Sequence, residues 1–172
     1  HPDYYPRTLY VPDAEKKKMS PGQAQFWEIK SQNMDVVLLF KVGKFYEMFD
    51  LDAEVGVKEL SLTRMGTDSR LHVGFPEAGY LKYATELVQK GYRVACAEQT
   101  QTPEQMKIEN AENRGKPQRK VVRRDICSFV TPGTAVLEPF LENKTTNFLL
   151  CVIESPIPKG SSGCASDIIH RN

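Results

Sequence analysis

Five consecutive apolar residues, Val36-Val37-Leu38-Leu39-Phe40, constrain this chain more than any other feature. A strand with one wet face alternates polar and apolar side chains, and this run does not alternate. Its β-branched and aromatic content reads as a strand buried on both faces, which requires covering layers above and below it. Gly43-Lys44 then supplies a tight turn, and Phe45 to Phe49 alternates large side chains as a short returning strand. The chain is therefore expected to build a sheet packed between helices rather than a bundle or an open meander.

The surrounding segments fit that expectation. Residues 1–19 read as an extended lead-in, because Pro2, Pro6 and Pro12 oppose helix. Ser20-Pro21 with Gln23 forms a capping box, so a helix should start there and end near Asn33. A second helix is expected over about 52–60. The acidic group Asp50, Asp52 and Glu54 reads as its solvent-facing start. Residues 61–64 and 71–75 flank a polar turn and read as a hairpin. A helix over about 79–90 carries Leu81, Ala84, Leu87 and Val88 on one side and stops at Gly91. Further strands are expected over 92–98, 121–131 and 148–153, and Thr102-Pro103 opens another helix. The fold class is thus α/β, a mixed sheet of about six strands with helices packed around it. The main domain covers 20–154, followed by a Ser-, Gly- and Pro-rich linker over 155–172. A chain that opens on His1 reads as a piece of a longer protein.

Composition narrows the function by exclusion. In 172 residues, 23 basic and 22 acidic side chains give a net charge of +1, so any nucleic-acid attraction has to come from local patches. No apolar run approaches the ~18 residues of a membrane span. The four cysteines form no C-x-x-C pair. Cys96, Cys127 and Cys151 sit in apolar runs, as reduced buried thiols do. The sequence holds no G-x-x-x-x-G-K-[ST], no G-x-G-x-x-G and no G-x-S-x-G, and its three histidines are far apart. A binding module is favoured over an enzyme, and no cofactor is expected in this segment.

Lys41-Val42-Gly43-Lys44-Phe45-Tyr46-Glu47 is the constellation with functional content. On a strand, Phe45, Glu47 and Phe49 point one way and Tyr46 and Met48 the other. In a helix, Phe45 and Glu47 would stand about 200° apart and share no target. A ring beside a carboxyl group suits a nucleic-acid base: the ring wedges into a weakened base step, and a protonated carboxyl donates to a base acceptor. Lys41 and Lys44 flank the pair at phosphate-holding positions. The competing reading puts Phe45 and Phe49 in the core and Glu47 in solvent, and the tripeptide alone does not decide between them. Arg64, Met65 and Arg70, in the hairpin that follows, are secondary candidates. The six basic residues Arg114, Lys116, Arg119, Lys120, Arg123 and Arg124 read as solvated loop and strand-edge charges, with phosphate contact as the functional alternative; Arg123 and Arg124 point to opposite faces of a strand, so at most one of them should meet any single surface.

The run VVLLFKVGKFYEMFDLDAEVG resembles the amino-terminal, mismatch-binding domain of the MutS family. So do the blocks SLTRMG, HVGFPEAGY, LVQKGYRVACAEQT, VVRRDICSFVTPGT and NFLLCVIES, in that order, from about Pro21 to Glu154. Within the family, HPDYYPRTLYVP and EQTQTPEQM look like the eukaryotic sixth homologue. SLTRMGTDSRLHVGFPE departs from the Met-Lys-Gly often found there. The resemblance implies that Phe45 stacks on a mispaired or unpaired base from the minor groove and Glu47 hydrogen-bonds it. It places the turn Val42-Gly43-Lys44 at the DNA. It also implies a nuclear protein that binds double-stranded DNA with mismatches or small loops, paired with MutS homologue two. ATP and Mg would act in a part of the full-length protein outside this chain.

Overall fold

The computed structural model describes residues 5, 7–65, 70–115 and 117–134. A four-residue helix α1 (Asp13–Lys16) stands in the lead-in, where the prolines suggested only extended chain. Pro12 precedes it and does not interrupt it, which is where a proline is tolerated. Helix α2 (Pro21–Lys30) starts as expected. The Gln23 N–H donates to Ser20 Oγ at 3.3 Å, and the Ser20 N–H donates to Gln23 Oε1 at 3.1 Å. It ends at Lys30, a turn earlier than the spacing predicts. Ser31 Oγ and the Asn33 side-chain amide donate to the Glu28 and Ile29 carbonyls, competing with further helical turns.

Strands β1 (Val37–Val42) and β2 (Phe45–Phe49) form the expected hairpin. Helix α3 (Asp50–Leu60), β3 (His72–Pro76), a 3-10 turn over Glu77–Gly79, α4 (Tyr80–Gln89), β4 (Val94–Gln99), α5 (Pro103–Glu112) and β5 (Arg124–Val130) follow. The sheet order is β3-β2-β1-β4-β5, with β1 parallel to β4 and the other neighbours antiparallel. The expected strand over 148–153 and linker over 155–172 lie outside the described residues. The expected hairpin between 61–64 and 71–75 is reduced to a single bridge, Arg64 with Val73, plus the Met65 N–H donating to the His72 carbonyl at 2.8 Å. The reason is competition: β2 offers β3 a ladder of five paired residues.

Two cores sandwich the sheet. Tyr46, Met48, Val73, Phe75, Leu39 and Val94 pack with Ala53, Leu60, Ala84 and Leu87 of α3 and α4. Leu38, Phe40, Phe49, Ala95 and Ala97 pack under Phe26 and Trp27 of α2. Alternate residues of β1 thus serve both cores, which is why the run of five shows no alternation. Phe26 meets Phe40 and Phe49 edge-on at 5.7 and 5.0 Å. Each such pair contributes ~0.5–1.5 kcal/mol beyond the area it buries. Leu81 and Cys127, expected in apolar interiors, are exposed; Cys96 is buried.

The acidic helix start is not the solvated cluster that its composition suggests. Asp52 is buried. Its Oδ1 lies 2.7 Å from the buried Lys30 ammonium, and its Oδ2 accepts the Leu38 N–H at 3.0 Å. Lys30 also donates to the Val36 carbonyl. Burial pushes the Asp52 carboxyl up from its ordinary range, and Lys30 acts against that shift. One carboxylate therefore ties α3 to the middle of β1 and to the end of α2. Asp50 accepts the Trp27 indole N–H at 2.9 Å, which adds a second tie to α2.

Candidate nucleic-acid interface

The hairpin tip follows from its two-residue turn. Gly43 sits at φ +57°, in the left-handed region where glycine meets little strain. That turn pairs Val42 with Phe45, Lys41 with Tyr46 and Phe40 with Glu47. Burial then falls along one face of β2. Phe49 lies under α2, Glu47 is partly covered, and Phe45 is 42% exposed. The intervening Tyr46 and Met48 fill the opposite core. Phe45 is thus the open end of this face, one of several exposed apolar side chains among the described residues. Glu47 follows on the same face, about 6.6 Å along the strand from Phe45 at ~3.3 Å per residue.

The same parity separates Lys41 from the pair. Lys41 lies on the other face, with its side chain 8% exposed and its Nζ 2.7 Å from Glu77 Oε1 and 4.6 Å from the Tyr46 ring centre. Lys41, expected at a phosphate-holding position, thus has its charge engaged by Glu77 on the face opposite Phe45 and Glu47. Glu77 also donates its N–H to the Lys44 carbonyl at 2.8 Å, so it grips the turn at two points. The Lys44 side chain is exposed at the tip, with no ion pair among the described residues.

Around Glu47 the structure assembles groups that the sequence did not bring together. Gly74 is its partner across β3. A Cβ at Gly74 would stand 2.9 Å from the Tyr46 carbonyl oxygen, 3.2 Å from Met65 Sδ and 3.4 Å from Glu47 Cγ. Met65, a sequence candidate, thus packs over Gly74 beside Glu47. His72 lies on the same face, with Nε2 3.0 Å from Glu47 Oε2 and its ring stacked on Phe49 at 4.5 Å. That contact is close but out of line for a hydrogen bond, and Nε2 is buried with no other partner among the described residues. Arg124 is also turned toward this face. Its guanidinium lies 4.8 Å over the Phe40 ring and donates to the Lys41 carbonyl and to Gln25 Oε1, the latter at 2.8 Å. Burial lowers the affinity of Arg124 for its proton, and the Glu47 carboxylate opposes that effect.

The other candidates are dispersed. Arg70 contacts Asp50 at 3.4 Å, beyond the Phe49 end of β2. Arg64 is exposed beside β3. Arg124, read as a solvated strand-edge charge or a phosphate contact, is a buried brace between β5 and β1. Arg114, Arg119, Lys120 and Arg123 are exposed, and Lys116 lies outside the described residues. Among the described residues, no three His, Cys, Asp or Glu side chains gather as a metal would require, and no helix is long and apolar enough to cross a membrane.

The sequence model of the family described as MutS domain I matches residues 20–138. The DNA mismatch repair protein Msh6 of Gallus gallus is 45% identical over 93% of the chain, and that of Homo sapiens is 45% identical over 90%. DNA mismatch repair protein MSH7 of Arabidopsis thaliana is 40% identical over 78% of the chain. The chain spans only 12% of the length of each of these three relatives. With its five described strands in a mixed sheet between helices and this match over most of its length, the chain belongs to the MutS family, as its domain I.

Proposed function

We propose that this chain reads base mismatches in double-stranded DNA on behalf of a larger, nuclear, ATP-dependent repair protein that works as a heterodimer with MutS homologue two. The observation that carries the reading is Phe45, an aromatic ring 42% exposed at the tip of a hairpin whose other β2 residues are buried or partly covered. Phe45 enters the minor groove and stacks in the step next to a mispaired or unpaired base, and Glu47 hydrogen-bonds that base. Lys44 holds a phosphate, Met65 lies against the groove, and Val42 and Gly43 let the backbone approach. Lys41 and Glu77 act by keeping the turn in shape. Arg64 and Arg70 are the outer contacts.

Selectivity in this reading comes from deformability. A mismatched step is already poorly stacked, so prying it open costs less than at a paired step. A saving of ~1–3 kcal/mol gives a preference of ~5- to 150-fold without a base-specific code. ATP and Mg belong to other parts of the full-length protein. The test is an anisotropy titration of the full heterodimer on mismatched and fully paired duplexes of equal length. Phe45→Ala is expected to bring the ratio of the two affinities close to one. An unchanged ratio removes Phe45 from the interface, and equal affinities in the wild type favour a protein-docking module instead.

A further inference from the structure

We propose that Arg124 is a positioning residue for mismatch reading: its guanidinium anchors the end of β1, and through it the turn that presents Phe45. The inference rests on the reading of Phe45 as the wedge and names what holds that wedge from the side of β4 and β5. The β1–β4 ladder stops at Phe40 paired with Ala97, so the turn and the residue before it run past the last backbone pair on that side. Arg124 reaches this overhang. It stands on β5 opposite Gln99, on the same face of the sheet as Ile126 and Ala97. Its side chain crosses β4, where Ala97 presents only a methyl group. The guanidinium lies 4.8 Å over the Phe40 ring, and Nε–H donates to the Lys41 carbonyl.

The guanidinium is itself fixed at several points. One terminal nitrogen donates to Gln25 Oε1 of α2 at 2.8 Å and to the Val122 carbonyl at 3.1 Å, and the residue is 7% exposed. A planar fork held by a helix, by its own strand and by an aromatic face gives the Lys41 carbonyl little freedom to move. Glu77 holds the same turn from the β3 side, at the Lys44 carbonyl and the Lys41 ammonium. Lys41 is thus gripped by its side chain from one flank and by its carbonyl from the other. Val42, the next residue, is the direct partner of Phe45. Burial also separates this role from phosphate contact. A guanidinium this covered offers a phosphate almost no surface, so its contribution to DNA reading is geometric and not a counter-charge.

The test uses the full heterodimer. Affinities for mismatched and paired duplexes are measured by anisotropy over a range of salt, and hydrogen exchange mapped by peptide reports the fold of this domain. Arg124→Met is expected to lower the ratio of mismatched to paired affinity roughly three- to tenfold, the scale of one hydrogen bond, and to leave the slope of log affinity against log salt as in the wild type. Lys44→Ala, which removes a proposed phosphate contact, should flatten that slope by about one. Arg124→Lys keeps the charge but neither the fork nor the stacking plane, and should recover little of the ratio. Gln25→Ala leaves Arg124 in place and removes its anchor on α2. It should lower the ratio roughly two- to threefold, and it decides the matter if Arg124→Met does not fold. Val88→Ala thins the core under the end of α4, where β4 begins beside Val37 and away from the turn. It should speed exchange without moving the ratio. The proposal is overturned if Arg124→Met flattens the salt slope as Lys44→Ala does, or if Arg124→Lys restores the ratio in full. It is also overturned if the ratio stays at the wild-type value in Gln25→Ala and Arg124→Met, or falls with stability in Val88→Ala as well. Phe45→Ala serves as the separate control. If it leaves the ratio intact, the interface reading fails; if it collapses the ratio while the Arg124 and Gln25 variants behave as wild type, only the Arg124 inference fails.

Discussion

Replacing Asp52 by Ala removes a carboxylate that serves three elements at once. In the native chain its two oxygens hold the Lys30 ammonium at 2.7 Å and the Leu38 N–H at 3.0 Å, and both Lys30 and Asp52 are about 95% buried. The substitution leaves a buried ammonium whose remaining partner is the Val36 carbonyl, and a backbone N–H in the middle of β1 with no acceptor. Stripping one partner from a buried ion pair costs ~3–5 kcal/mol, a figure that already includes much of the stranded-group penalty. Against a total stability of ~5–15 kcal/mol, that is a fifth or more of the margin. For a domain of this size each kcal/mol moves the melting temperature by ~2–4 °C, so a fall of roughly 6–20 °C is expected. The assay is thermal melting followed by circular dichroism, run on Asp52→Ala, Lys30→Met, and the double variant Asp52→Leu with Lys30→Met. The double variant should recover much of the loss, because the pair is replaced by apolar groups that leave no charge behind. A drop of about 2 °C or less for Asp52→Ala would refute the reasoning, since it would mean that the carboxylate is solvated and holds nothing.

Gly74→Ala is expected to destabilise the chain by ~1–3 kcal/mol, because the added Cβ would lie 2.9 Å from the Tyr46 carbonyl oxygen and 3.2 Å from Met65 Sδ. Melting measures the cost, and a neutral result would show that β2 and β3 are not as close as described. Native-state alkylation at about pH 8, mapped by peptide mass spectrometry, should label the exposed Cys127 and spare Cys96. Burial pushes the Cys96 thiol up to about 12, and the thiolate is the reactive form. Labelling of Cys96 at a rate similar to Cys127 would contradict that burial.

The elements that sequence predicts best are those with local causes. An uninterrupted apolar run, a glycine turn, a capping box and a Thr-Pro helix start each act within a few residues, and β1, β2, α2 and α5 begin where those signals put them. Lys41 is a case where the signal existed. A two-residue turn pairs 42 with 45 and therefore 41 with 46, so the lysine had to lie opposite Phe45. Asp52 and Arg124 were misread because their partners lie 22 and 83 residues away in sequence, and a charged residue with no visible partner reads as solvated. His72 and Gly74 reach Glu47 only through the β2–β3 register. The polar residues 66–69 pointed instead to pairing between 61–64 and 71–75, and β3 forms its ladder with β2.

The sheet order has a mechanical consequence for Phe45. Its strand is not an edge: β1 and β3 flank it, and Glu77 clamps the turn from outside by the Lys44 carbonyl and the Lys41 ammonium. A ring that pries apart stacked bases is pushed back with equal force, and a ring on a free loop would recoil, leaving the bases closed. On the proposed wedge at Phe45 the recoil would be shared by two hydrogen-bonded ladders and, through Asp52 and Lys30, by the helix on the far side of the sheet. In the proposed reading, the stiffness needed to separate soft steps from firm ones resides in the neighbours of Phe45, so a variant far from the tip that loosens this backing should blunt discrimination while leaving the ring itself untouched.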